Sequence, residues 1–209
     1  MTEFALYKKS NKFYWSNNKI IYSAIFFCCG IMLFRQKVLN LEENSFDKFF
    51  MWLTIFGFLS GLVSKIICSN KVEPLNGNLV GYLTFEKEFI KVNDEIFLLD
   101  KIKNIQISND DYIGKRVNIS KGNFGPALSN GINNFIIIFF ESGQTKKYQF
   151  ELINSDDFQN VRTTLIEYYV MKKIDFWELA NVLGEKSTEE IAKLTKQTEE
   201  ISTTTKTRF

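Results

Sequence analysis

Two stretches decide how this chain is organised: Ile20–Phe34, IIYSAIFFCCGIMLF, and Phe49–Ser64, FFMWLTIFGFLSGLVS. The second carries no charge and, after Lys65, continues through Ile66, Ile67 and Cys68. Counted to Cys68 it approaches the ~20 residues that a helix needs to cross ~30 Å of hydrocarbon. Lys65 stands near one end, where its long stem returns the ammonium to the headgroups. The first run is short for a span and becomes adequate with Phe13, Tyr14 and Trp15 at the interface and Lys19 snorkelling. A soluble helix keeps a wet face, and neither run has one. The expectation is a transmembrane hairpin over 20–68, with helices over 20–34 and 49–68.

Outward from the hairpin the chain turns polar. Residues 1–19 form a basic flank, with Lys8, Lys9, Lys12 and Lys19 against Glu3 alone. The first apolar run lacks an A-x-A-like cleavage site and is soon followed by a second, so both helices belong to the mature protein. Lysines also follow the second run, at Lys65 and Lys71, while the connector holds Arg35, Lys37 and Lys48. That bias favours a two-pass protein of the cell membrane with both termini cytoplasmic. Within the second run, Gly57, Gly61 and Ser64 make a small face suited to helix packing. It would pack on the first helix, through Ser23, Ala24 and Cys28, or on another copy of the chain. Residues 69–77 read as a linker because Pro74, Asn76 and Gly77 are turn formers.

From residue 78 the period changes to two. Leu79, Leu83 and Phe85 share a face, Ile90 and Val92 return after Glu86-Lys87-Glu88, and Ile96–Leu99 and Lys103–Ile107 follow. Short alternating segments bounded by turn residues are the all-β pattern. Tyr112–Ile119 is a weaker strand, and residues 120–134 are one long Gly- and Asn-rich loop. Phe135–Phe140, FIIIFF, has no polar face and is expected to be the most central strand; Ser142-Gly143 turns it into 145–152. Phe158, Val161, Leu165 and Tyr168 then recur at helical spacing, closing a β domain over 78–172 of about seven antiparallel strands. Asp175 begins a short helix that Gly184 stops, over 173–184. Residues 185–209 read as a polar, partly disordered tail, in which Ser187-Thr-Glu-Glu190 could begin a third helix with only a thin stripe of Ile191, Leu194 and Ile201.

The chain has no His, which removes the commonest general base and most zinc sites. All three cysteines, Cys28, Cys29 and Cys68, lie in the apolar runs. No phosphate-binding glycine loop is present, since Asn109 stands where Gly114-Lys115 would need a glycine. Ser45 to Lys48 spells S-x-x-K, and reads as a helix start with Ser45 as cap. Asp110 and Asp111 are adjacent carboxylates of a solvated turn. Neither an enzyme nor a cofactor is expected, and a net charge of +2 gives no field for a nucleic-acid polymer. The candidate ligand site is Lys115, Arg116, Lys121 and Phe124, where nearby glycine N–H groups could cradle an anion and the ring could stack.

Seven short strands followed by an amphipathic helix resemble the pleckstrin-homology-like (PH-like) fold. The run Gly81-Tyr-Leu-Thr-Phe85 to Ile107 is similar to the opening of its bacterial versions. The turn at Glu86-Lys87-Glu88 departs from the basic cluster of the family's lipid-binding members. Two transmembrane helices before a β domain also resemble the small membrane effectors of bacterial anti-phage cyclic-nucleotide signalling. The first resemblance implies a bacterial inner-membrane, non-catalytic binding or regulatory module presenting a PH-like β domain on the cytoplasmic face. Its partners would be the lipid bilayer and a protein, or a second copy through the second helix. The other implies a ligand-gated, membrane-disrupting effector whose β domain, a sandwich or small barrel, senses an anionic nucleotide.

Overall fold

A computed structural model describes residues 2–117 and 122–206. The chain divides into two compact units. One holds the described residues of Met1–Ser10, Leu75–Lys115 and Asn130–Phe209; the other holds those of Asn11–Pro74 and Arg116–Ser129.

The first unit is built on a seven-stranded antiparallel sheet. Its strands are β1 (Glu3–Lys9), β2 (Gly77–Phe85), β3 (Phe89–Val92), β4 (Glu95–Leu98), β5 (Ile102–Ser108), β8 (Asn134–Phe140) and β9 (Thr145–Phe150). They run in the order β4-β3-β2-β1-β9-β8-β5, and the sheet is open between β4 and β5. Two further strands, β6 (Ile113–Arg116) and β7 (Leu128–Asn130), pair as a separate ribbon.

Two expectations are corrected here. Residues 3–9 are not a flank but the middle strand. Phe4 is buried, stacked on Phe158 at 4.8 Å and edge-on to Phe85 and Phe150, each at 5.8 Å. FIIIFF is accordingly not central: β8 lies between β9 and the edge strand β5. Its Ile136 and Ile138 point into the core, while Phe135, Ile137 and Phe139 remain half-exposed on the other face. The Lys147 ammonium lies 4.0 Å from the Phe135 ring centroid, so a long stem does part of the covering that another layer would do.

Leu83, Ile90, Ile102, Ile136, Ile138 and Phe150 are fully buried. Each such side chain contributes about 1.5–3 kcal/mol through its removal from water. Helices α3 (Arg162–Val170) and α4 (Phe176–Val182) supply Leu165, Tyr168 and Leu179 to the same core. Asp175 caps α4 by accepting from the Glu178 N–H at 2.8 Å, and Gly184 stops it at φ +73. The edge of β5 is covered: its Ile105 N–H donates to the Lys173 carbonyl and its Ile107 N–H to Glu178 Oε1. Such capping removes an open strand edge.

The third helix that Ser187 could begin does form, and it runs further into the tail than its stripe suggested. Thr188–Lys206 is a helix, α5, started by Ser187 and Glu190 in a reciprocal capping box, and its Leu194 is fully buried. The thin stripe suffices because one residue enters the common core.

The second unit is the hairpin of α1 (Asn17–Leu33), which continues as a π-helical stretch over Phe34–Val38, and α2 (Ser45–Cys68). Ser16 caps α1, and Asn44, rather than the expected Ser45, caps α2 in a box with Asp47. Both helices are long and apolar enough to cross a membrane, with only 6% of each apolar window buried.

Candidate functional site

Residues 122–127, the described part of the connection between β6 and β7, are seated on the hairpin. Asn18 opens α1 and uses both ends of its carboxamide. Its Oδ1 accepts the Phe124 N–H at 2.7 Å, and its Nδ2 donates to Asn123 Oδ1 at 2.6 Å. One turn on, the Tyr22 hydroxyl donates to the Gly122 carbonyl at 2.6 Å. From α2, the Ser64 hydroxyl donates to the Phe124 carbonyl at 2.9 Å and accepts from Asn17 Nδ2 at 3.2 Å. The Ala127 N–H ends on the Cys68 carbonyl at the C-terminus of α2, where carbonyls lack intrahelical partners.

Phe124 is the centre of this arrangement and only 3% exposed. Its ring centroid lies 5.5 Å from that of Tyr22 and 6.5 Å from that of Phe58. It rests on Gly61, whose missing side chain makes the room: a Cβ there would meet three ring carbons at 3.0–3.2 Å. Gly57, one turn away, faces Ile25 of α1 at 3.6 Å for an added Cβ. So the three small residues expected to pack helices, Gly57, Gly61 and Ser64, all face partners inside the same chain.

Of the four residues expected to bind an anion, the three described ones form no cradle. Lys115 donates to the Asp110 carbonyl, Arg116 is exposed, Phe124 is buried on the helices, and Lys121 lies outside the described residues. The Gly125 N–H, one of the glycine donors expected to cradle an anion, is spent on Asn123 Oδ1 at 2.9 Å. Sequence reasoning passed over Asn17, Asn18 and Tyr22, which hold the loop. The available signal was a pair of carboxamides at the head of an apolar run.

At the other end of the hairpin, Arg35 Nε donates to Asp47 Oδ1 at 3.1 Å, and Asp47 is 1% exposed. The guanidinium also lies over Phe46, 4.8 Å from its centroid. This buried pair ties the end of α1 to the start of α2.

In the sheet unit the titrating groups are structural. Lys146 on β9 pairs with Glu95 on β4 at 2.7 Å. The bond to Lys146 holds the Glu95 carboxyl below its ordinary range, and the same bond raises Lys146. Burial pushes up the Tyr148 hydroxyl, which donates to Glu95 at 3.3 Å. Burial likewise raises Tyr168, whose hydroxyl donates to the Glu86 carbonyl at 2.7 Å. Among the described residues no group of three or more His, Cys, Asp and Glu side chains could hold a metal ion.

No family model, curated protein or solved structure matches the chain.

Proposed function

We propose that the chain is a membrane-anchored, non-catalytic binding module: α1 and α2 cross the bilayer and a PH-like β domain stands on the cytoplasmic face. The observation that carries this reading is the position of the hairpin in the chain. β1 precedes it, β2 follows it, and the two strands are paired from Glu3↔Thr84 to Lys9↔Gly77. Both ends of the hairpin must therefore lie on one side of any membrane, which requires an even number of crossings. Bare side chains such as Phe26, Phe56 and Ile66 are 76%, 68% and 75% exposed. An apolar surface of that extent is stable in lipid and a liability in water.

The side is argued from charge. Lys8, Lys9, Lys12, Lys19, Lys65 and Lys71 flank the hairpin's open end, against Arg35, Lys37 and Lys48 at its closed end, with Arg35 already paired to Asp47. Support for the PH-like assignment is the antiparallel strand order, with helices α3 and α4 packed into one core with it. Phosphatase fusions at Asn40 and after the last residue test the topology. An active fusion at Asn40 with an inactive one at the C-terminus is expected; the reverse pattern overturns the orientation. Extraction of the protein by alkaline carbonate overturns the anchor itself.

A second reading, a ligand-gated effector, is favoured by one observation. The small face of α2 is occupied by α1 and by Phe124, so assembly through that face needs the loop to leave. Leakage of dye from vesicles carrying Phe124→Ala, with tight vesicles for the wild type, would support it; tight vesicles in both would sink it.

A further inference from the structure

β1 and β9 pair at one position, Leu6↔Phe150, reinforced by the Glu151 N–H donating to the Ala5 carbonyl at 2.8 Å. Beyond it the strands fork: β1 follows β2, with which it stays paired to Lys9↔Gly77 across a bulge whose extra residue lies in β2 between Leu79 and Tyr82. The fork opens a cavity of about 530 Å³ whose lining includes Leu6, Val80, Phe135 and Tyr148. That size falls within the ~300–1,000 Å³ of small-molecule sites. Tyr148, opposite Ile136, and Phe135, opposite Gln149, stand on different faces of the sheet.

The charge of this cavity is one-sided. Lys8, Lys9 and Lys147 line it, and no carboxylate does. None of the three has a carboxylate within ion-pair distance among the described residues, whereas neighbouring Lys146 is held by Glu95. Unpaired ammonium groups from two diverging strands, around an aromatic and apolar pocket, form a field without an internal counter-charge. Lysines act as separate point charges and suit tetrahedral phosphate oxygens; planar carboxylates are better matched by the arginine fork, and no arginine lines the cavity.

We infer that the cavity at the β1–β9 fork is a binding site for a phosphate ester whose organic part is flat or apolar. Adjacent Lys8 and Lys9 point to opposite faces of β1, and by the Leu6↔Phe150 register Lys9 shares its face with Lys147 and Phe135. The phosphate lies between Lys9 and Lys147, and the organic part lies against Phe135 on that face. A nucleotide and a phospholipid headgroup share this chemistry. The inference needs the sheet unit alone and stands whether or not the hairpin crosses a membrane.

The test uses the full chain in neutral detergent, titrated in two arms. One arm uses AMP, cyclic di-AMP and inorganic phosphate; the other uses dihexanoyl phosphatidylglycerol against dihexanoyl phosphatidylcholine. Saturable binding of an organic phosphate in either arm is expected, and the arm that binds identifies the source. Lys9→Gln with Lys147→Gln should weaken it about tenfold or more through the loss of two charge-assisted contacts. Lys103→Gln, on the exposed side of β5, should leave it unchanged. Binding by the wild type must also fall with added salt. No saturable binding in either arm, insensitivity to salt, or equal affinity in the double variant overturns the site. A chain that leaves membranes in carbonate yet binds AMP would overturn the anchor and keep the site.

Discussion

The ring of Phe124 occupies the place where a side chain of Gly61 would be, so that a loop of the β region fills a notch in an apolar helix. The contact is accompanied by hydrogen bonds from Asn18, Tyr22 and Ser64 to the loop backbone. In the proposed membrane reading the backbone polar groups of this loop need protein partners, and these side chains supply them.

Phe124→Ala should therefore release the loop. Truncating a buried Phe costs about 3–5 kcal/mol. Limited trypsin digestion of the full chain in detergent should cut within 115–127 faster in this variant than in the wild type. Gly61→Leu should do the same by overpacking, while Gly30→Leu, where an added Cβ meets nothing within 4 Å, should not. Equal cleavage in Phe124→Ala and the wild type would refute the seating.

The Arg35–Asp47 pair gives a second expectation. Removing one partner of a buried pair leaves an uncompensated charge and costs about 3 kcal/mol or more. Arg35→Met should lower the melting temperature of the full chain, and adding Asp47→Leu should recover part of the loss. An Arg35→Met melt identical to wild type would show that the pair is immaterial.

Phe4 tests the place of the N-terminal strand. Phe4→Ala should destabilise the sheet unit by about 3–5 kcal/mol, as for other buried aromatic truncations. Deleting residues 2–9 should abolish its cooperative melt, because β2 and β9 both lose a neighbour. A shortened chain that melts as the wild type does would return these residues to the status of a flank.

Stability should depend on pH through the Glu95–Lys146 pair, which bridges β4 and β9. Glu95 is lowered in the folded state, so its contribution is full above the ordinary carboxylate range and is lost as pH falls through the depressed value. Lys146 is raised, so its contribution is full below the ordinary lysine range and is lost as pH rises through the elevated value. Melting temperatures of wild type and Glu95→Gln should differ most near neutrality and converge at the acid extreme. A constant difference across the range would exclude the pair as the cause. Both groups are exposed, so the effect is small and shrinks with salt.

Much of the local structure was legible. The apolar runs identify α1 and α2, the two-residue period identifies β2, β3, β5 and β9, the short apolar runs Ile96–Leu99 and FIIIFF identify β4 and β8, and Asp175 and Gly184 mark the ends of α4. Phe4 and Leu6 alternate with Glu3 and Ala5 in the same period, yet four lysines nearby made the stretch read as a basic flank. The sheet has the expected seven strands, but β1 takes the place in it expected for Tyr112–Ile119. The candidate anion site was the least legible part, because Lys115, Arg116 and Phe124 are near in sequence and divided in use.

By itself, then, the sequence determined what depends on neighbours a few residues away: helix, strand, turn and cap, and an apolar hairpin with no wet face. Only the tertiary structure decided which strand lies in the middle of the sheet and what Gly61 makes room for. Both depend on pairings across long separations, Phe4 with Leu83 and Gly61 with Phe124, where the partner is chosen by packing and backbone hydrogen bonding in the folded chain. No periodicity within either segment encodes that choice.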